Sequence, residues 1–110
     1  MYKQRKKKHK KTYLPNLIRP NEIRVILRTM GIEWQQHNIS SLGWVVIKSP
    51  LRTDTNPSFS VNINHGGFID FANPNIKGDI VKLVALVLEC DQENAEEWII
   101  KTLNLQSILN

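Results

Sequence analysis

The chain has 110 residues, 41% of them hydrophobic, and a formal net charge of +5. This length suits one domain with a modest apolar core. No apolar run approaches the roughly 20 residues that a transmembrane helix needs, and the N-terminus lacks the apolar region of a signal peptide. A cytoplasmic protein without a membrane partner is therefore expected.

Cysteine and histidine usage argues against a metal site. The single cysteine, Cys90, excludes an internal disulfide and a cysteine-based zinc site, since structural zinc takes four ligands that are mostly Cys and His. His9, His37 and His65 are too far apart in sequence to match the usual spacing of metal ligands. No metal and no other cofactor are expected.

Charge is distributed unevenly along the chain. Residues 1–11 carry a net charge of +7 without an acid, residues 12–88 carry +2, and residues 89–110 carry −4. So dense a run of like charges repels itself and buries nothing, so residues 1–12 are predicted to be a disordered basic arm before a domain at 13–110. The arm either binds nucleic-acid phosphates with counterion release or serves as a solubilising or docking tail. Its cations are Lys3, Arg5, Lys6, Lys7, Lys8, Lys10 and Lys11.

Apolar periodicity predicts three helices. Apolar residues from Ile23 to Met30 at i, i+3, i+4 and i+7 favour a helix over about Asn21 to Met30, which Gly31 would end. A second helix, from Asp79 to about Leu88, is apolar at nearly every position and is expected to be central. Asp91 can cap a third, acidic helix that reaches about Leu103.

Between the first two helices the pattern is typical of strands. Trp44–Lys48 is aromatic and β-branched, and Ser58–Ile63 alternates polar and apolar residues. The turn residues 64–67 and the return strand Phe68–Phe71 complete a predicted hairpin. The fold class is therefore α+β, a small antiparallel sheet packed with one N-terminal and two C-terminal helices.

One segment resembles a known family. Asn56-Pro57-Ser58-Phe59-Ser60-Val61, then Phe71-Ala72-Asn73-Pro74 and Gly78-Asp79-Ile80-Val81, are similar to the Cys-His-Cys-Cys zinc finger of bacterial DNA primases. That finger reads Cys-Pro-Phe-His, Pro-Ser-Phe-Ser/Thr-Val, Cys-x-x-Cys and Gly-Asn/Asp-Ala-Ile. The resemblance covers roughly residues 20–104, and it implies a zinc-ribbon-like sheet.

The same resemblance implies that the metal has been lost. The family's four ligand positions fall on Ser49, Arg52, Phe71 and Pro74, none of which is a normal zinc ligand. Structural zinc contributes on the order of 10–16 kcal/mol in small fingers. Packing by Leu51 and Phe71 is expected to replace part of this, at about 1.5–3 kcal/mol each.

The resemblance also implies a function. The family's finger engages single-stranded template and carries no catalytic residues, so a non-enzymatic, single-stranded-DNA-binding accessory protein of replication or priming is expected, of the kind a phage or other mobile element encodes. Six cations of the predicted domain would extend a basic track for nucleic acid: Arg19, Arg24, Arg28, Lys48, Arg52 and Lys77. The alternative is that these residues lie on a solvated face without a ligand or, for Arg52, that it forms an ion pair with Asp54.

Aromatic and hydroxyl side chains complete the candidate interface. Trp44, Phe68 and Tyr13 are candidate platforms for stacked bases, although core packing is the commoner role of a large aromatic, and Trp34 is expected to cover the core. Ser58 and Ser60 are predicted to lie on the other face of the strand from Phe59 and would meet phosphate or water. The alternative function is a protein-interaction subunit that docks on a primase, polymerase or helicase.

Overall fold

A computed structural model describes residues 13–53 and 55–104. Over these residues the chain is an α+β fold with three α-helices and a four-stranded antiparallel sheet. Among these described residues, the single-turn 3-10 helix Leu14–Leu17 precedes the first α-helix, and a second, Gln36–Asn38, precedes the first strand.

The first helix, α1, spans Pro20–Thr29. Pro20 suits the first helical position because its missing N–H would be unpaired there in any case. Gly31 follows the helix at φ +86°, and the N–H of Ile32 donates to the Leu27 carbonyl at 2.9 Å. This is a Schellman ending, which needs a left-handed residue and so favours glycine. The end of the helix was therefore readable from the sequence.

The sheet has the strand order β1-β2-β3-β4, with β1 Trp44–Ile47, β2 Phe59–Asn62, β3 Phe68–Asp70 and β4 Lys77–Gly78. Each strand pairs antiparallel with its sequence neighbour. The predicted hairpin between β2 and β3 is thus confirmed. The two-residue strand β4 was not predicted, because so short a segment carries no periodicity.

Helices α2, Ile80–Leu88, and α3, Gln92–Leu103, close the fold. Asp79 caps α2 by accepting from the Lys82 N–H at 2.9 Å, and Asp91 caps α3 by accepting from the Asn94 N–H at 2.8 Å. Each cap satisfies a backbone donor that the first helical turn leaves unpaired. Both helix starts agree with the prediction.

One hydrophobic core lies between the sheet and the helices. On the sheet side it contains Phe59 and Val61, both fully buried, and the helices add the apolar stripe of α1 and most of α2. From α3 it receives Ala95 and Ile99. The first half of α2 is buried as expected, whereas Leu88 at its end is exposed. All three helices share this core, which places the other face of the sheet outside it.

Candidate nucleic-acid interface

The sheet has a core face and an exposed face, fixed by its register. Cross-strand partners share a face, so Val45, Val61 and Phe68 line the core side. The alternate positions form what we call the exposed sheet face: Trp44, Val46, Ser60, Asn62, Ile69 and Lys77. Val46 is 48% exposed and Lys77 is exposed, so this face is open to solvent at both outer strands.

Trp44 is held firmly at the corner of this face. Its indole ring meets the His65 imidazole edge-on, with centroids 5.5 Å apart and planes at 80°. Opposite it on β2 lies Asn62, only 1% exposed, whose Nδ2 donates to the Leu42 carbonyl at 3.0 Å and whose Oδ1 accepts from the N–H of Asn64 at 2.8 Å. A half-buried aromatic on such a support can stack on an unpaired base.

Lysines flank the exposed sheet face on both edges. Lys48 follows β1 and Lys77 begins β4, and both are exposed. Three interstrand spacings, about 14 Å, separate those two strands. A strand of nucleic acid crossing the sheet would therefore meet a cation at either side.

Tyr13, the first residue that the structure describes, lies at the β4 edge of the sheet. The Tyr13 hydroxyl donates to Asp79 Oδ2, and Asp79 lies two residues beyond Lys77. The arm cations at positions 3–11 lie outside the described residues. Their point of attachment is nevertheless on the Lys77 side of the sheet.

Two predicted contacts are corrected by burial. Phe68 is 3% exposed and stacks on Phe59 with centroids 5.6 Å apart, so it belongs to the core and offers no platform. Ser60 is 5% exposed, because the larger Val46 and Ile69 flank it on the neighbouring strands. The prediction that Ser60 meets phosphate or water is therefore wrong.

Arg52 is the centre of a polar cluster that joins the loop after β1 to the end of β3. Its guanidinium makes a bidentate ion pair with Asp70: Nη1 donates to Oδ2, and Nη2 donates to Oδ1 at 3.1 Å. Nη2 also donates to Ser58 Oγ at 2.9 Å and Nη1 to Ser49 Oγ at 3.3 Å. Asp54, the partner suggested by sequence, lies outside the described residues.

The Arg52–Asp70 pair is asymmetric in burial. The Asp70 side chain is 0% exposed, whereas that of Arg52 is 35% exposed. Hydrogen bonds from Arg52 hold the pKa of the Asp70 carboxyl below its usual value, against burial, and the Ala72 N–H helps by donating at 2.9 Å. The carboxylate therefore stays ionised and depends on Arg52 for its charge balance.

This cluster occupies two of the four positions that the sequence resemblance equates with zinc ligands. Ser49 and Arg52 touch each other, whereas Phe71 is 55% exposed and Pro74 is exposed. The expectation that Phe71 packs this end of the domain is wrong. Leu51 does pack against the core, as expected, but hydrogen bonds and charge contribute where apolar packing was anticipated.

Two further arginines, Arg24 and Arg28, lie on α1. Arg24 Nη2 donates to Asn64 Oδ1 at 2.7 Å, and the Arg28 guanidinium lies over the Trp34 ring at 4.7 Å from its centroid. Trp34 is half-buried against the core, as expected. Arg24 and Arg28 thus belong to a site on α1 and its neighbouring loops, distinct from the exposed sheet face.

Within the described ranges, no three His, Cys, Asp or Glu side chains come together in a way that could hold a metal ion. No helix among the same residues is long and apolar enough to cross a membrane. No protein-family model matches the chain, and no curated protein or solved structure matches it either.

Sequence reasoning missed two residues that organise the interface. Asn62 showed only a faint signal, an amide side chain in a strand that would otherwise favour β-branched residues. Asp70 was read as one residue of a return strand, and nothing local linked it to a cation 18 positions earlier. Arg52 lies in the loop after β1 and Asp70 ends β3, so the pairing of β1 with β2 and of β2 with β3 brings the two charges together.

Proposed function

We propose that this protein is a non-catalytic accessory factor that binds single-stranded nucleic acid, DNA in the first instance, across the exposed sheet face. The observation that carries the proposal is the pairing of a supported, solvent-accessible Trp44 with lysines at both edges of that face. Stacking supplies sequence-tolerant affinity, and the cations follow the backbone.

The charge distribution supports the same surface. The seven cations of residues 1–11 are joined to the domain beside Lys77. The acids of α3, including Glu93 and Glu97, are exposed on the helical side of the fold. Phosphates are therefore attracted to the sheet side and repelled from the outer face of α3. The likeness of residues 56–61 to the primase finger adds a replication or priming context to the proposal.

Binding is tested by fluorescence anisotropy with a labelled oligothymidine at about 50 mM salt, where phosphate contacts are strong. Removal of residues 1–11 deletes seven cations and should flatten the slope of log K against log salt by up to about 5, at roughly 0.7 per neutralised phosphate of a single strand. Trp44→Ala should weaken binding about 5- to 150-fold through a lost stacking contact of about 1–3 kcal/mol.

Matched controls separate these contributions. Lys101→Gln removes one exposed cation from α3 and should leave affinity almost unchanged. Trp44→Phe keeps an aromatic platform and should retain most of the affinity that Trp44→Ala loses. Absence of binding by the full-length protein at low salt would refute the proposal.

The acidic outer face of α3 favours docking on a protein as a second candidate function. Its exposed Glu93 and Glu97 face away from the sheet, so a basic partner such as a replication enzyme can bind there while the sheet holds a strand. A complex that survives deletion of the arm but is lost on Glu93→Lys/Glu97→Lys would support it. A complex unaffected by that charge reversal would count against it.

A further inference from the structure

A polar cleft of about 400 Å³ lies between α1 and the loops that precede β1 and follow β2. Its walls include Arg24 and Arg28 of α1, Trp34, Ser40, Ser41 and Asn64. None of the residues that line it is an Asp or a Glu. Two cations without a compensating carboxylate make it an electropositive cleft, which favours an anionic ligand.

Both guanidinium groups are held in place before any ligand arrives. Arg24 is fixed through one nitrogen by Asn64 Oδ1 at 2.7 Å, and its Nε is buried without a hydrogen-bond partner among the described residues. Arg28 rests on the face of Trp34, and both side chains line the cleft. Such fixed arginines lose little entropy on binding an anion.

Hydroxyl groups supply donors from a different side. Ser40 Oγ already accepts from the Trp44 N–H at 3.0 Å, so its own proton is available to donate, and Ser41 beside it is exposed. Donors therefore reach the cleft both from a helix and from a loop. Several oxygens in a tetrahedral group match that arrangement better than the two coplanar oxygens of a carboxylate.

We propose that this cleft is a phosphate-binding site for a nucleotide or for the phosphorylated end of a nucleic-acid strand. The volume is within the range of small-molecule sites, and Trp34 and Ile39 in its wall provide apolar surface beside the phosphate donors. This assignment goes beyond the proposed function, because the cleft lies on α1 and its loops and needs neither the exposed sheet face nor the basic arm.

The test uses NMR titration of the full-length protein with sodium pyrophosphate, followed by ATP and by a thymidine tetranucleotide with and without a 5′-phosphate. The Trp34 indole and the Arg24 and Arg28 side-chain resonances should shift together on addition of pyrophosphate. Arg28→Gln, at an exposed position, should weaken pyrophosphate binding about 10-fold or more, as expected for loss of a charge-assisted contact. Lys101→Gln serves as the charge-matched control and should bind as the parent does.

The probes also identify the source of the phosphate. Tighter binding of ATP assigns the cleft to free nucleotides, and tighter binding of the phosphorylated tetranucleotide assigns it to a strand end. A modest site has a Kd of about 1 mM, so it would be largely occupied at about 10 mM pyrophosphate. No shift at these three residues up to that concentration would overturn the assignment. Equal binding by Arg28→Gln and Lys101→Gln would overturn it too. Failure of oligothymidine binding at the sheet would leave these outcomes unchanged, so the two proposals fail separately.

Discussion

The ion pair between Arg52 and Asp70 predicts an unequal response to removal of its two members. Arg52→Met leaves the Asp70 carboxylate, 0% exposed, without its counter-charge, while the backbone N–H groups of Ala72 and Asn73 still donate to it. Breaking a buried pair in this way costs about 3–5 kcal/mol. Because loss of the guanidinium also admits water to a side chain that was 35% exposed, we expect about 2–4 kcal/mol.

Asp70→Asn should cost less, about 1–2 kcal/mol, since the cation that remains can be hydrated. The amide oxygen can still accept the bonds of Oδ1 from Arg52 Nη2 and Ala72 N–H, although the NH2 group that replaces Oδ2 cannot accept from Nη1. At about 4–8 °C in Tm per kcal/mol for a domain of this size, the two variants should be distinguishable. Urea unfolding at pH 7, followed by far-ultraviolet circular dichroism, gives both free energies.

Acidification provides an independent check of the same pair. The pKa of Asp70 is lowered in the folded state, so the pair's contribution is complete above the unfolded pKa of about 3.9. It is lost as pH falls through the lower folded pKa. The parent should therefore lose stability more steeply than Asp70→Asn below about pH 4. An Arg52→Met cost below that of Asp70→Asn, or identical acid profiles, would refute this reasoning.

Two further predictions concern the metal and the turns. Excess EDTA should leave Tm unchanged, because Ser, Arg, Phe and Pro stand at the four positions equated with zinc ligands; a stoichiometric metal in elemental analysis would contradict this. Gly31→Ala and Gly66→Ala both place alanine at positive φ, +86° and +83°, which costs about 1–2 kcal/mol. An added Cβ at Gly66 would also meet Ile80 Cβ at 2.6 Å, whereas none meets a neighbour at Gly31. Thermal unfolding should therefore show the larger Tm loss for Gly66→Ala, and equal losses would count against the packing argument.

The helices and the hairpin could be predicted because their signals are local. Asp79, Asp91 and Gly31 mark helix ends through bonds that span at most five residues, and the alternation in β2 is visible within six. The burial of individual strand residues could not be predicted, because it depends on the register of the strands. Whether a strand residue is buried is decided by its partners on the adjacent strands, and Ser60 is buried only because Val46 and Ile69 flank it.

The candidate interface likewise combines residues that the sequence could identify with an arrangement that depends on strand pairing. Trp44 and the lysines could be named as candidates from residue type alone, but their common face depends on the pairing of all four strands in order. Five of the six domain cations predicted to form a basic track separate in the structure into three parts, and the sixth, Arg19, is exposed at the N-cap of α1. Lys48 and Lys77 flank the exposed sheet face, Arg24 and Arg28 line the cleft on α1, and Arg52 pairs with Asp70.

Because Arg52 pairs with Asp70, its positive charge is not available to attract a ligand. Its guanidinium makes a bidentate contact with the Asp70 carboxylate, whose charge cancels its own. Arg52 therefore contributes little to the positive electrostatic potential over the sheet. Over the sheet, the proposed attraction of phosphate then rests on Lys48, Lys77 and the arm, while Arg52 fixes the loop after β1 against the end of β3. The salt dependence of binding should accordingly fall on deletion of the arm and remain nearly the same in a folded Arg52 variant, since counterion release counts only cations that neutralise phosphate.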